Sequence, residues 1–195
     1  MDLDYNFFDP ENTIAPSKGK ILISEPFLQD NYFKRSIVFL TEHSDEGSVG
    51  FVLNKPVNLQ VNEVVADFPK TDALISLGGP VNTNTLHYIH TLGDIIPNSV
   101  RVIENIFWGG DFEVVKKLIQ SKNLNKENIR FFLGYSGWDA GQLEGEIKEN
   151  SWLVDDIDSG LLLKEFGAEA WVDFVKKVGK QYSIWENFPE NPSLN

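Results

Sequence analysis

The sequence predicts an α+β fold, a single domain of seven or eight strands flanked by three or four helices, and three observations carry that reading. Short apolar runs rich in β-branched and aromatic residues follow one another at 19–24, 36–41 and 49–53 with no helical period between them. Helical spacing of apolar residues belongs to later segments and does not alternate regularly with strands, which disfavours a doubly wound parallel sheet. A chain of 195 residues suits one domain of ordinary size and, at roughly 70% burial of its extended-chain surface, needs no staples.

Taken in order, residues 1–18 read as an N-terminal arm. Asp2, Asp4, Asp9 and Glu11 precede the first basic residue, Lys18, and Pro10 and Pro16 interrupt regular structure. Leu3, Tyr5, Phe7 and Phe8 give the arm an apolar side, so docking on the body and docking on a second subunit both stay open. The domain, residues 19–183, opens with the three strands named above. Between the second and third, His43 to Ser48 carries turn chemistry with Gly47 free to take φ > 0, which predicts an antiparallel hairpin. Leu59, Val61, Val64, Val65 and Phe68 predict a helix over 59–68. Further strands are expected at 73–77, stopped by Gly78-Gly79-Pro80, and at 86–90 and 100–103.

Asp111 is the expected N-cap of a helix to about Ser121, with Phe112, Val115, Leu118 and Ile119 on one face. Residues 129–135 make the strongest interior strand. Asp139 with Gln142 three residues later is a variant capping box, predicting a helix from about Ala140 to Asn150. Gly141 and Gly145 inside it cost about 1 kcal/mol each relative to alanine, which points to close approach of this helix to neighbouring backbone. A strand at 152–154 and a helix over 167–181 follow. Residues 184–195 form a C-terminal tail whose Trp185 and Phe188 must bury themselves on this body or on a partner. Aromatic residues at both ends favour a weak homodimer.

Charge and composition bound the function. Seventeen basic residues face 29 acidic ones, a net charge of −12, so no nucleic-acid partner is expected from the overall field. The absence of cysteine removes disulfides, thiolate metal sites and cysteine nucleophiles. The opening residues lack a basic and apolar leader and no run approaches 18 apolar residues, so a cytoplasmic protein without a membrane partner is expected.

Motifs for chemistry are sparse, and neither a catalytic residue, a metal nor a cofactor is assigned. His87 and His90 stand three apart in a strand and point to opposite faces, which does not suit one shared metal. His43 reads as a turn histidine, or as a general base beside Glu42. Ser136 follows a strand but lacks the second glycine spacing of a nucleophile elbow. Trp108-Gly109-Gly110-Asp111 precedes a helix and has backbone N–H groups to offer an anion, yet Asp111 repels one. Lys34-Arg35 has two readings: Arg35 pairs with Asp30 or Glu42, or the pair meets a small anionic ligand or partner surface.

Several blocks together resemble the AlgH/YqgE family of bacterial proteins. They are residues 29–38 (Gln29-Asp30-Asn31-Tyr32-Phe33-Lys34-Arg35-Ser36-Ile37-Val38), Glu42-His43, 47–56 ending in Asn54-Lys55-Pro56, Leu77-Gly78-Gly79-Pro80-Val81, 133–144 around Tyr135-Ser136-Gly137-Trp138, and Asn150-Ser151-Trp152-Leu153. The resemblance covers about residues 18 to 180. It implies an α+β domain built on coiled, bifurcated mixed sheets in a largely uncharacterised family. One branch is named for regulating alginate production, the origin of a transcriptional-regulator label that brings no recognised DNA-binding module. No catalytic residue carries over. Asn54-Lys55-Pro56 replaces the family's Asn-Arg-Pro, and Asp139 stands where a glycine is usual. Arg35, His43, Asn54, Tyr135 and Gln142 are the candidate lining of a common groove; the competing reading makes them structural. Three functions follow: an accessory or regulatory protein working through protein partners, a small-ligand binder or weak enzyme using that groove, and a direct DNA-binding regulator, in decreasing order of support.

Overall fold

The computed structural model describes residues 12–188, so the arm residues Leu3, Tyr5, Phe7 and Phe8 lie outside the described residues. Alternating β-branched and aromatic side chains build nine strands among them, and four helices cover the faces. In chain order these are β1 (Ile21–Ser24), β2 (Ile37–Ser44), β3 (Gly47–Val52), α1 (Val61–Val64), β4 (Leu74–Leu77), β5 (Val81–His90), β6 (Val100–Ile103), β7 (Ile106–Trp108), α2 (Phe112–Gln120), β8 (Ile129–Asp139), α3 (Gln142–Lys148), β9 (Trp152–Asp155) and α4 (Ala170–Val178), followed by a 3₁₀ segment, Lys180–Asn187.

The strands run in the order β6-β7-β5-β8-β3-β2-β1-β9, and β4 joins β8 from the β3 side. Every pairing is antiparallel except β4 with β8, so the sheet is mixed. The long β8 is shared. Its first half, Arg130 to Leu133, pairs with β4, and its second half, Ser136 to Asp139, pairs with β3. The sheet forks there, as the family resemblance implies.

Glycines make the fork possible. From β4 to β5 the chain passes from one edge of β8 to the other, crossing its backbone at Gly134. A Cβ on Gly78 would lie 2.3 Å from the Gly134 carbonyl, and one on Gly79 would lie 2.4 Å from the Tyr135 carbonyl. Gly134 itself sits at φ 65°, where a Cβ would also meet the Val81 and Gly79 carbonyls at 2.7 and 2.8 Å. This left-handed residue breaks the alternation of β8, so Phe132 and Tyr135 both pack on the central core, and opposite it the pairing is irregular, with the extra residues in β5 between Val81 and Leu86.

Three apolar layers result. The central core gathers Phe39, Phe51, Ile89 and Phe132 against Trp171, Phe174 and Trp185 of α4 and the 3₁₀ segment. One outer layer packs Phe131, Ile129 and Tyr88 on Val115 and Ile119 of α2. The other packs Val38, Leu40, Trp138 and Trp152 around Leu143 of α3. Trp185 is fully buried and lies parallel to Trp171 with ring centroids 6.4 Å apart, and Phe188 meets Phe27 at 4.8 Å. Both tail aromatics therefore rest on this body.

Several local expectations change. The helix expected over 59–68 is a single turn, because Val65 is extended and Asp67 takes a left-handed φ of 58°. Strand β7 went unexpected, being three residues long and joined to β6 by a tight turn with Glu104 at φ 42°. Gly141, not Asp139, precedes the first turn of α3; its φ of 73° explains the glycine, and a Cβ there would touch nothing within 4 Å. At Gly145 a Cβ would likewise touch nothing within 4 Å, and nothing in the structure explains the glycine. The Asp111 cap stands as expected, accepting from the Glu113 and Val114 backbone N–H groups at 2.9 and 3.2 Å.

Candidate functional site

The motif residues at the end of β8 close into a hydrogen-bonded knot. Gly141 turns the chain back, and one turn into α3 the Glu146 carboxylate reaches over the sheet. One of its oxygens accepts the indole N–H groups of Trp138 and Trp152, each at 2.8 Å, and the other accepts the Gln142 amide at 2.8 Å. Gln142 in turn accepts the Asp139 backbone N–H at 3.0 Å. The indoles meet edge to face, and Phe33 packs on both. Glu146 escaped the sequence reading. Its signal is that two buried indoles each require an acceptor, and a carboxylate on the intervening helix supplies both. His43 stands beside this knot, its Nδ1 2.7 Å from the Ser48 hydroxyl and its Nε2 3.6 Å from Glu144.

At the opposite end of β2 a basic loop is tied down by Asn54. This buried amide accepts the Ile37 backbone N–H at 3.0 Å and donates to the Arg35 carbonyl at 2.8 Å. Arg35, at φ 49°, extends its guanidinium over the Trp171 ring at 4.9 Å and donates to the Phe188 carbonyl. The expected pairing of Arg35 with Asp30 or Glu42 does not occur, because the loop turns the side chain toward α4 instead. Lys55 donates to the Tyr32 carbonyl; burial lowers its pKa, and the neighbouring Asp30 opposes that shift. Asn31, Lys34, Arg35, Asn54, Lys55 and Ala168 enclose a cavity of about 200 Å³.

Tyr135 lies on the other face of the sheet from the knot, edge-on to His87 at 5.6 Å. With Val49 and Val81 it lines a groove of about 390 Å³, rimmed by Glu42, Ser44, Glu46 and Asp139. The five candidate residues thus occupy three places: Arg35 with Asn54, His43 with Gln142 beside α3, and Tyr135 alone in its groove. Of the two cavities described, one is lined by Arg35 and Asn54 and the other by Tyr135, and neither takes all five.

Other candidates are spent on the fold. Ser136 is fully buried and donates its hydroxyl to the Gly78 carbonyl at 2.9 Å, fastening the crossing. The Gly109 and Asp111 N–H groups donate to the carbonyls of Tyr88 and Pro97 at 3.0 and 2.9 Å. His90 is fully buried, its Nε2 2.8 Å from the Gly109 carbonyl, and burial lowers its pKa. Arg130, also fully buried, holds the fork. It donates to the Leu53 carbonyl, to Ser76 Oγ at 2.8 Å, and to the Leu162 and Lys164 carbonyls at 3.3 and 2.7 Å. Desolvation pushes its pKa down to about 10, opposed by Glu165, which leaves it charged at neutral pH.

Relatives share this frame. The chain is 44% identical over 197 residues to a UPF0301 protein of Bacteroides fragilis, covering 100% of both chains. It is 45% identical over 186 residues to a UPF0301 protein of Parabacteroides distasonis, covering 94% of each. The solution structure of the AlgH protein from Pseudomonas aeruginosa superposes with a TM-score of 0.71 at 25% identity, covering 92% of this chain and 98% of that one. A crystal structure of a Corynebacterium diphtheriae protein has the same fold, with a TM-score of 0.73 at 22% identity over 91% of this chain and 95% of that one. With the AlgH-like family model matching residues 21–183, the chain belongs to that largely uncharacterised family.

Proposed function

We propose that this chain is a non-enzymatic accessory or regulatory protein that works by holding a protein partner. The direction of the motif side chains carries this reading. Asn54, Ser136, Trp138, Gln142 and Glu146 direct hydrogen bonds into the fold itself. General acid–base or nucleophilic catalysis asks for groups aimed at one reacting atom within hydrogen-bond reach.

The groove beside Tyr135 offers the contact surface. Glu42, Glu46 and Asp139 are exposed on its rim, and none of them forms an ion pair among the described residues. Carboxylates around a floor of Val49, Val81 and Tyr135 complement a basic segment with an apolar anchor. A photo-reactive amino acid at Val81 tests this in cells. A discrete protein adduct is expected, absent when the probe sits at Lys122 and lost when Glu42 and Glu46 are both changed to Lys. The purified partner then binds the wild type and not the charge-reversed variant. Equal adducts from both positions, or binding indifferent to charge reversal, overturn the reading.

A further inference from the structure

We propose that the cavity between the loop preceding β2 and the end of β3 binds a phosphate dianion, either free or as the monoester of a small molecule. It shares no lining residue with the acidic groove, so it stands apart from the partner-binding reading. In a chain carrying a net charge of −12, Lys34, Arg35 and Lys55 converge on about 200 Å³ of space. None of the three makes an ion pair among the described residues. Their acidic neighbour, Asp30, is turned into its own loop, where it accepts the Tyr32 and Phe33 backbone N–H groups at 2.7 and 3.0 Å.

Three like charges held together beside a single carboxylate, Asp30, which acts on Lys55 without pairing with it, repel one another, and the fold holds them by rigid means. Arg35 keeps a left-handed backbone that non-glycine residues seldom adopt, with its carbonyl clamped by Asn54. Its guanidinium is braced by Trp171 and the Phe188 carbonyl, while Nε is buried without an acceptor among the described residues. Lys55 is braced by the Tyr32 carbonyl, and the Lys34 side chain makes no hydrogen bond among the described residues. Two ammonium groups and one guanidinium match the charge and tetrahedral oxygens of a phosphate dianion better than a flat monoanionic carboxylate.

Titration of the full chain with inorganic phosphate, glycerol 3-phosphate or acetate at constant ionic strength, followed by backbone amide shifts, tests the site. Saturable shifts are expected at 31–35, 54–55 and 168 with either phosphate, and acetate binds about tenfold more weakly, the equivalent of one lost charge contact. Tighter binding of glycerol 3-phosphate identifies a monoester site; equal or tighter binding of inorganic phosphate identifies free phosphate as the ligand. Lys34→Gln weakens phosphate binding about fivefold with an unchanged melting temperature, since its side chain holds nothing else. Lys55→Gln acts in the same direction, and if it fails to fold, Lys34→Gln decides alone. Shifts that rise linearly, spread evenly over surface lysines, or persist unchanged in Lys34→Gln overturn the proposal.

Discussion

Strand β2 connects two polar regions built on opposite principles. Beside its C-terminal end, the Glu146 carboxylate is surrounded by donors, two indoles and an amide, and its charge is absorbed by the fold. Before its N-terminal end, Lys34, Arg35 and Lys55 face a cavity, and among the described residues Arg35 and Lys55 hydrogen-bond only to neutral carbonyls. A charge ringed by complementary groups belongs to the architecture. Charges of one sign held together by backbone geometry are the ground of the phosphate site proposed above. The acidic rim near Tyr135 follows the second principle with the opposite sign.

Substitutions break or sharpen that contrast. Trp138→Ala opens a cavity under α3 and removes one of the three donors to the Glu146 carboxylate, so urea unfolding is expected to register a loss of about 4 kcal/mol. A loss under about 1 kcal/mol would place that indole outside the load of the fold. Glu146→Ala removes the acceptor of two buried indoles and is expected to cost about 3 kcal/mol. Glu146→Gln keeps one oxygen for both N–H groups and costs about 1 kcal/mol in the same measurement. Arg35→Met loses the Phe188 hydrogen bond and the stacking on Trp171, an expected loss of about 1 kcal/mol in thermal unfolding. Lys34→Gln stays within about 0.5 kcal/mol of the wild type, as a side chain outside the structural network must.

An acid titration reads a third region, independent of both. Burial lowers the pKa of His87 and His90 below the ordinary 6.5. As pH falls through that value the unfolded chain takes up protons before the native one does, so stability decreases with falling pH. His90→Gln is expected to flatten the slope below about pH 6.5 in urea unfolding at stepped pH, and an unchanged slope would assign the acid sensitivity elsewhere.

Legibility from sequence varied with the range of the interaction. The β2–β3 hairpin, the Asp111-capped helix and the strand at the start of β8 were readable because turn residues, caps and apolar period act over a few positions. The helix at 59–68 misled, since its period matched but valines and a left-handed Asp67 limited it to one turn. Gly78, Gly79 and Gly134 stood out as glycines, but their reason, a backbone crossing between segments 55 residues apart, has no local signature. Arg130 looked like one polar residue in an apolar strand, although its four oxygen acceptors come from Leu53 just past β3, from β4 and from the segment after β9.

By itself the sequence determined the fold class, most of the strands and helices, the family, and the residue types that matter, because composition, period and motif spacing are properties of the chain alone. The tertiary structure alone decided which of those residues share a place. It separated Arg35 and Asn54 from His43 and Gln142, moved Tyr135 to another face, and joined Trp138 to Trp152 through Glu146. The physical reason lies in how β8 is built: the left-handed Gly134 exchanges the faces of the strand midway, and which partner strand each half takes is fixed by packing across the whole domain, not by any neighbour in sequence.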